Sequence, residues 1–169
     1  QKNLEDANKS LSDTNEQTQR TKDSATRNLE QAGKTRDEDL ADVDTNISDA
    51  YDEWQSAENN YNASVASYQE AVALADSIAD KTSTAYTNAS AQVNTLKRQV
   101  DTDRRTADTK KASYERLTAQ REDTIKRIND AYQDQVDSYN NTMDSTEDSG
   151  KTQKERIEDI QKQIDGTVV

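Results

Sequence analysis

Apolar or small residues recur at Leu40, Val43, Ile47, Ala50, Trp54, Ala57 and Tyr61, in alternating steps of four and three after a first step of three. The stripe continues through Val65, Tyr68, Val72, Ala75, Ala79, Tyr86, Ala89, Val93, Leu96 and Val100. It thins, then returns as Ala107, Tyr114, Leu117, Ile125, Ile128, Tyr132, Val136, Tyr139 and Met143. The 82 residues from Tyr61 to Met143 hold about 23 such steps, a mean near 3.6 and between the coiled-coil and straight-helix periods. No comparable stretch alternates with the period of two that a strand requires. The N-terminal third keeps a seven-residue step through Leu4, Leu11, Thr18, Ala25 and Ala32, and a last stripe reads Ile157, Ile160, Ile164, Val168.

Breaks are expected at Gly33 to Asp37, where Gly precedes charged residues, and at Asn140 to Thr152 around Gly150. A third candidate, Asp80 to Thr84, is rich in Ser and Thr but still carries the stripe. The pattern therefore predicts helices near 2–32, 37–80, 84–142 and 152–165 in a single elongated helical domain. The fold class is all-α: long amphipathic helices in an elongated, coiled-coil-like bundle. At ~1.5 Å per residue the longest helix extends ~90 Å, and so must pair with itself or with neighbours.

Composition sharpens this picture. Leu, Ile and Val total 22 of 169 residues, about 13%, with no Phe, below the ~20% at which a compact independent core becomes hard to build. Proline is absent and only three glycines occur, which suits long uninterrupted helices. With no His and no Cys there is no tetrahedral zinc site of the usual ligands, no thiolate nucleophile and no Ser-His-Asp triad. Gly33, Gly150 and Gly166 form no phosphate-cradling loop. These exclusions point away from an enzyme. No apolar run approaches the length of a membrane span. The first residue is Gln1 rather than Met, which reads as a processed product or an excised fragment.

Charge is segregated along the chain. The net charge of −12 disfavours nucleic acid and anionic lipid as partners and suits cations or basic surfaces. Residues 37–80 carry twelve acids and no Lys or Arg. Residues 96–127 carry ten bases and six acids. Lys97, Arg104 and Lys111 fall at seven-residue steps, as do Arg98 and Arg105, so each set lies along one helix face. These five residues are expected to pair with the acidic block, within one chain or between copies.

One stretch has calcium-loop spacing: Asp42, Asp44, Asn46, Ser48 and Glu53 at loop positions 1, 3, 5, 7 and 12. Its sixth position is Ile47 where a Gly is needed, and Ile47 belongs to the apolar stripe, so a helical face accounts for it better. Looser calcium binding by Asp37, Glu38, Asp39 and Asp42 is the remaining cofactor option. Five Asn-X-Ser/Thr sequons begin at Asn8, Asn46, Asn62, Asn88 and Asn140, a number that 13 Asn among 14 Ser and 19 Thr supply by chance. The packing seam is assigned to Leu40, Val43, Ile47, Trp54, Tyr61, Val65, Tyr68, Val72, Val93, Leu96 and Val100. Tyr suits a thin, partly wet interface because its ring packs while its hydroxyl stays hydrated.

The proline-free stretch Leu40 to Val100 and the acidic block 37–80 resemble the matrix proteins of ciliate secretory granules, the trichocyst and mucocyst family. That resemblance implies a small acidic helical product of a larger precursor, assembling into a calcium-responsive lattice in a secretory granule. Independently of it, the residues suggest a non-enzymatic structural protein that is secreted or on the cell surface and whose partners are itself or homologous helical subunits. The rival reading is a helical stalk or binding module of a bacterial surface protein.

Overall fold

A computed structural model describes residues 2–167 and contains two helices, α1 (Lys2–Ser77) and α2 (Thr84–Thr167). The fold is all-α, with the two long helices packed against each other as a hairpin. Gln1, Val168 and Val169 lie outside the described residues, and with them the last rung of the predicted C-terminal stripe. Contacts divide the chain into two units: Gln1–Leu40 with Lys126–Val169, and Ala41–Ile125.

Within the second unit, beside half-buried Ser90, Ser113, Thr124 and Ile125, one stripe of half-buried or buried α2 positions runs Tyr86, Ala89, Val93, Leu96, Val100, Asp103, Ala107, Lys110, Tyr114, Leu117 and Arg121. Those steps alternate three and four without exception, the spacing that keeps one face on a partner helix. Two helices meeting along one stripe enclose little. Among the described residues the buried apolar ones are Ala50, Ala57, Ala75 and Ala107, all in this unit, and their small side chains let the helix axes approach closely.

One stretch of the first unit, Thr18 to Leu40, is spaced differently, whereas Leu4, Ala7, Leu11, Thr14 and Thr18 keep alternating steps of three and four. Thr18, Thr21, Ala25, Leu29, Ala32, Arg36 and Leu40 are half-buried at steps of three, four, four, repeated. That is an 11-residue pattern, whose period of ~3.67 opposes the left-handed supercoil of heptads. The seam here is also more polar, with Thr14, Thr18 and Thr21 on α1 and Thr142, Thr146, Gly150 and Gln153 on α2.

Threonine is tolerated through both helices because its hydroxyl finds a local acceptor. Thr21, Thr26, Thr95, Thr102, Thr106, Thr109, Thr118 and Thr142 each donate to the carbonyl four residues back, at 2.8–3.1 Å. Exposed Gln-to-Asp bonds and ion pairs at i,i+4, among them Gln19–Asp23 and Lys126–Asp130, add to the helices along their wet faces.

The connection 78–83 uses neither Gly nor Pro, and no described residue has a positive φ. Lys81 closes α1 by donating from Nζ to the carbonyls of Ala75 and Asp76, both at 3.1 Å, where a helix end favours positive charge. Asp80 accepts from the backbone N–H and the hydroxyl of Thr82, at 2.9 and 2.7 Å. Ser83 caps α2: its Oγ accepts from the N–H of Tyr86 at 3.2 Å, the third residue of the helix. Lys81 also lies over the Tyr86 ring at 4.8 Å.

Two predicted breaks are therefore corrected. The chain is helical from Lys2 to Ser77 through Gly33 to Asp37, and from Thr84 to Thr167 through Asn140 to Thr152. The boundaries near 32, 37, 142 and 152 do not exist, α1 ends at Ser77 rather than 80, and Ala79 is exposed in the connection. The physical reason is that a helical Gly costs only ~1 kcal/mol, which packing on both sides offsets. Gly33 and Gly150 both sit at half-buried seam positions, where a missing side chain is no handicap. A Cβ at Gly33 would meet Tyr132 Cε2 at 3.8 Å, an ordinary contact, and at Gly150 nothing within 4 Å. Gly33→Ala and Gly150→Ala should each stabilise the hairpin by ~0.5–1 kcal/mol in urea unfolding, since neither position needs glycine's conformational freedom. A loss of stability in both would show that these positions are not continuous helix in solution.

Candidate functional site

Three aromatic side chains gather in the middle of the second unit. Trp54 is half-buried and stacks on Tyr114, with ring centroids 5.6 Å apart and planes 21° from parallel. Tyr51 meets both edge-on, at 5.8 and 5.5 Å, and is 42% exposed. Lys111 Nζ stands over the Trp54 ring at 5.8 Å. The Trp54 Nε1–H is shut away from solvent and has no acceptor. An unpaired buried donor is tolerated where the gain in ring packing exceeds its cost. The helices are held in register here by polar contacts on either side of the cluster. Lys110 Nζ donates to Glu53 Oε2 at 2.6 Å. Arg121 grips Asp44 with two donors, Nε to Oδ1 at 2.8 Å and Nη2 to Oδ2 at 3.3 Å. Farther along, the Ser64 hydroxyl donates to Asp103 Oδ2.

All eleven predicted seam residues fall on the half-buried stripes: Leu40, Val43, Ile47, Trp54, Tyr61, Val65, Tyr68 and Val72 in α1, and Val93, Leu96 and Val100 in α2. The five predicted charge partners do not bridge to the acidic block. Arg104 pairs with Asp108 at 3.9 Å and Lys111 with Glu115 at 3.8 Å, both one turn along the same helix. Arg98 donates to the Asn94 carbonyl at 3.3 Å, and Lys97 and Arg105 are exposed. The bridging bases are Lys110 and Arg121, which sit on the seam itself. Lys97, Arg104 and Lys111 each lie one residue beyond a seam position, where Lys111 reaches the Trp54 ring of α1 but no acid on it.

The acidic candidates Asp37, Glu38, Asp39, Asp42, Asp44 and Glu53 are all exposed on continuous helix, and no loop forms between 42 and 53. Asp37 pairs with Arg36, Asp44 with Arg121 and Glu53 with Lys110. Among the described residues no group of three or more acids is placed to hold a metal ion together. Arg36 additionally lies over the Tyr132 ring at 4.4 Å, in the first unit. No described helix is long and apolar enough to cross a membrane.

Several carboxylates titrate below their ordinary values of 3.8 for Asp and 4.5 for Glu. The hydrogen bond and charge of Arg121 depress Asp44, Thr82 depresses Asp80, Ser64 and Gln99 depress Asp103, and Lys151 depresses Glu147. A depressed carboxylate adds stability that is fully present above its unfolded value and is lost as pH falls through the folded one. The net charge meanwhile shrinks from −12 at pH 7 to zero near pH 4.5, relieving repulsion along the acidic block. Melting temperature at low salt should therefore rise from pH 7 towards 4.5 and fall again below about 3.8, and circular dichroism melts across that range check it. A steady decline from pH 7 downwards would mean that acid–acid repulsion is not felt.

In comparison with known proteins, no family model, no curated sequence and no solved structure matches this chain.

Proposed function

We propose that the chain is a non-enzymatic structural protein, an acidic helical subunit that assembles with itself or with homologous helices in a secreted, granule or cell-surface structure. The observation that supports this is how little the hairpin covers. The chain exposes 12223 Å². A chain of 19.0 kDa folded round one core exposes ~8,400 Å². Nothing in the described aromatic cluster offers a converging set of polar groups for chemistry: Tyr51, Trp54 and Tyr114 pack on one another. Helices of this composition gain most of their stability from burial against other helices, and further copies supply it.

Sedimentation velocity over a hundredfold range of concentration, with negative-stain electron microscopy of the densest samples, tests the proposal. Growth into ordered fibres or sheets is the expected result. Addition of millimolar calcium at fixed ionic strength distinguishes a divalent-cation effect from simple screening. A monomer at every concentration that captures another protein would replace this reading with that of a stalk or binding module.

A further inference from the structure

The ion pairs of the second unit leave its remaining charge divided between the two helices. From Asp42 to Glu58, α1 carries six acids and no base. Arg121 takes up Asp44 and Lys110 takes up Glu53. Asp42, Asp49 and Asp52 stay exposed and enter no ion pair among the described residues. From Lys97 to Arg116, α2 carries seven bases and four acids. Lys110 goes to Glu53, Arg104 to Asp108 and Lys111 to Glu115. Lys97, Arg98, Arg105 and Arg116 are exposed and pair with no carboxylate, Arg98 reaching only a carbonyl of its own helix. The one exposed acid left over in that stretch is Asp101.

These leftover charges point away from the opposite helix. At ~100° per residue, the middle of a four-residue seam step falls on the side opposite the seam. Arg98 stands midway between Leu96 and Val100, Arg105 between Asp103 and Ala107, and Asp52 between Ala50 and Trp54. Asp42 and Asp49 lie next to that outer line, one residue before Val43 and Ala50. The second unit is thus acidic on the outer side of α1 and basic on the outer side of α2, and the two sides look in opposite directions. We infer that copies of this chain join side by side, the outer acidic face of α1 in one copy receiving the outer basic face of α2 in the next. This names the contact for the self-assembly proposed above and rests on that reading. The occupant is a second copy because only a copy matches both faces. Arg98 and Arg105 are seven residues apart, ~10.5 Å along the helix, and Asp42 and Asp49 are seven apart as well. A basic partner would cover α1 alone and a polyanion α2 alone, whereas in a row of copies each face serves the next. Opposed faces cannot both meet the same neighbour, so the contact is heterologous and propagates beyond a dimer. At ~0.1 M salt a screening length of ~10 Å damps the repulsion between chains of −12, while charges facing across a contact still attract.

The test is sedimentation velocity of the full chain at that salt concentration, with two double variants. One carries Arg98→Glu and Arg105→Glu, the other Asp42→Lys and Asp49→Lys. Each alone should need about ten times the wild-type concentration or more to associate, because its two outer faces now have the same sign. An equimolar mixture of the two should associate within about threefold of wild type, as should one chain carrying all four reversals, since each face again meets its opposite. Net charge alone predicts otherwise: the Asp-to-Lys variant falls from −12 to −8 and would then associate better than wild type. Far-UV circular dichroism should be unchanged throughout, because all four positions are exposed. If the wild type associates and either double variant does so equally well, or the mixture does not recover, this contact is wrong and the self-assembly reading stands. A wild type that stays monomeric to millimolar concentration overturns both. Wild-type association only on addition of poly-lysine or heparin, lost in the matching double variant, would assign that face to a foreign partner and overturn the inference.

Discussion

Ala107→Asp should be among the most damaging single substitutions in this chain, costing ~3 kcal/mol or more. Ala107 is 3% exposed, the least exposed of the buried apolar residues described, on a seam whose other buried members are also alanines. A carboxylate there loses most of its water, and the bases one turn away on α2 already have partners, Arg104 with Asp108 and Lys111 with Glu115. The nearest bases on the seam of α2 are Lys110, already bonded to Glu53, and Arg121, bonded to Asp44. The helices must then either separate locally or hold the side chain protonated. Ala107→Leu isolates the steric part, since it adds volume without charge and should cost ~1–3 kcal/mol by forcing the helices apart. Equilibrium urea unfolding measures both, and Asp101→Ala on the exposed face should stay within ~0.5 kcal/mol of wild type. Lowering the pH below the carboxylate range should recover part of the loss in Ala107→Asp and none in Ala107→Leu. Equal, small effects of all three substitutions would mean that the alanine seam is not a packed interface.

The helices were legible in the sequence because their signal is repeated some twenty times, and each repetition carries the same phase. Leu40, Val43, Ile47, Trp54, Tyr61 and their counterparts on α2 could be read as one face without knowing what lay opposite. Of the three expected breaks, the one at Asp80 to Thr84 is where the chain turns, between Ser77 and Thr84. Gly33 and Gly150 attract attention as breaks, yet each carries a local cost of ~1 kcal/mol that a long packed helix absorbs. The actual connection is marked by side-chain chemistry instead: Lys81 on the carbonyls that end α1, Asp80 on Thr82, and Ser83 on the first turn of α2. Its sequence-level trace is the seven-residue step from Ala79 to Tyr86, which falls in a Ser/Thr-rich stretch. Cross-helix ion pairs were not legible for a further reason. Which base faces Asp44 or Glu53 depends on the antiparallel register, and the register follows from where the turn lies. Once the turn is at 78–83, Asp44 comes level with Arg121 and Glu53 with Lys110. The seven-residue spacing of Lys97, Arg104 and Lys111 is real, but it describes a flank whose ion pairs run along its own helix, with Lys111 over the Trp54 ring rather than beside an acid of α1.

Trp54→Ala should destabilise the hairpin by ~2–3 kcal/mol, less than the ~3–5 kcal/mol typical of a fully buried aromatic. The reduction follows from geometry: Trp54 is half-buried and keeps contact with Tyr51 and Tyr114 on only part of its surface. What is lost is the stack on Tyr114, the edge contact with Tyr51 and the approach of Lys111 to the ring face. Trp54→Phe separates ring packing from the indole nitrogen. Phe surrenders some area but also removes an N–H that is buried without an acceptor, and these changes oppose each other. The Phe variant should therefore lie within ~1 kcal/mol of wild type, so most of the Ala deficit is recovered by a ring that cannot hydrogen-bond. Tyr114→Ala removes the other half of the stack, and its effect should add to that of Trp54→Ala by less than the sum, because the two residues share one contact. Urea unfolding of the four variants gives these differences, and Trp54 emission, the only indole in the chain, reports the environment directly. A red-shifted and freely quenched Trp54 in the folded chain, together with additive losses in the double variant, would show that the two rings do not stack in solution.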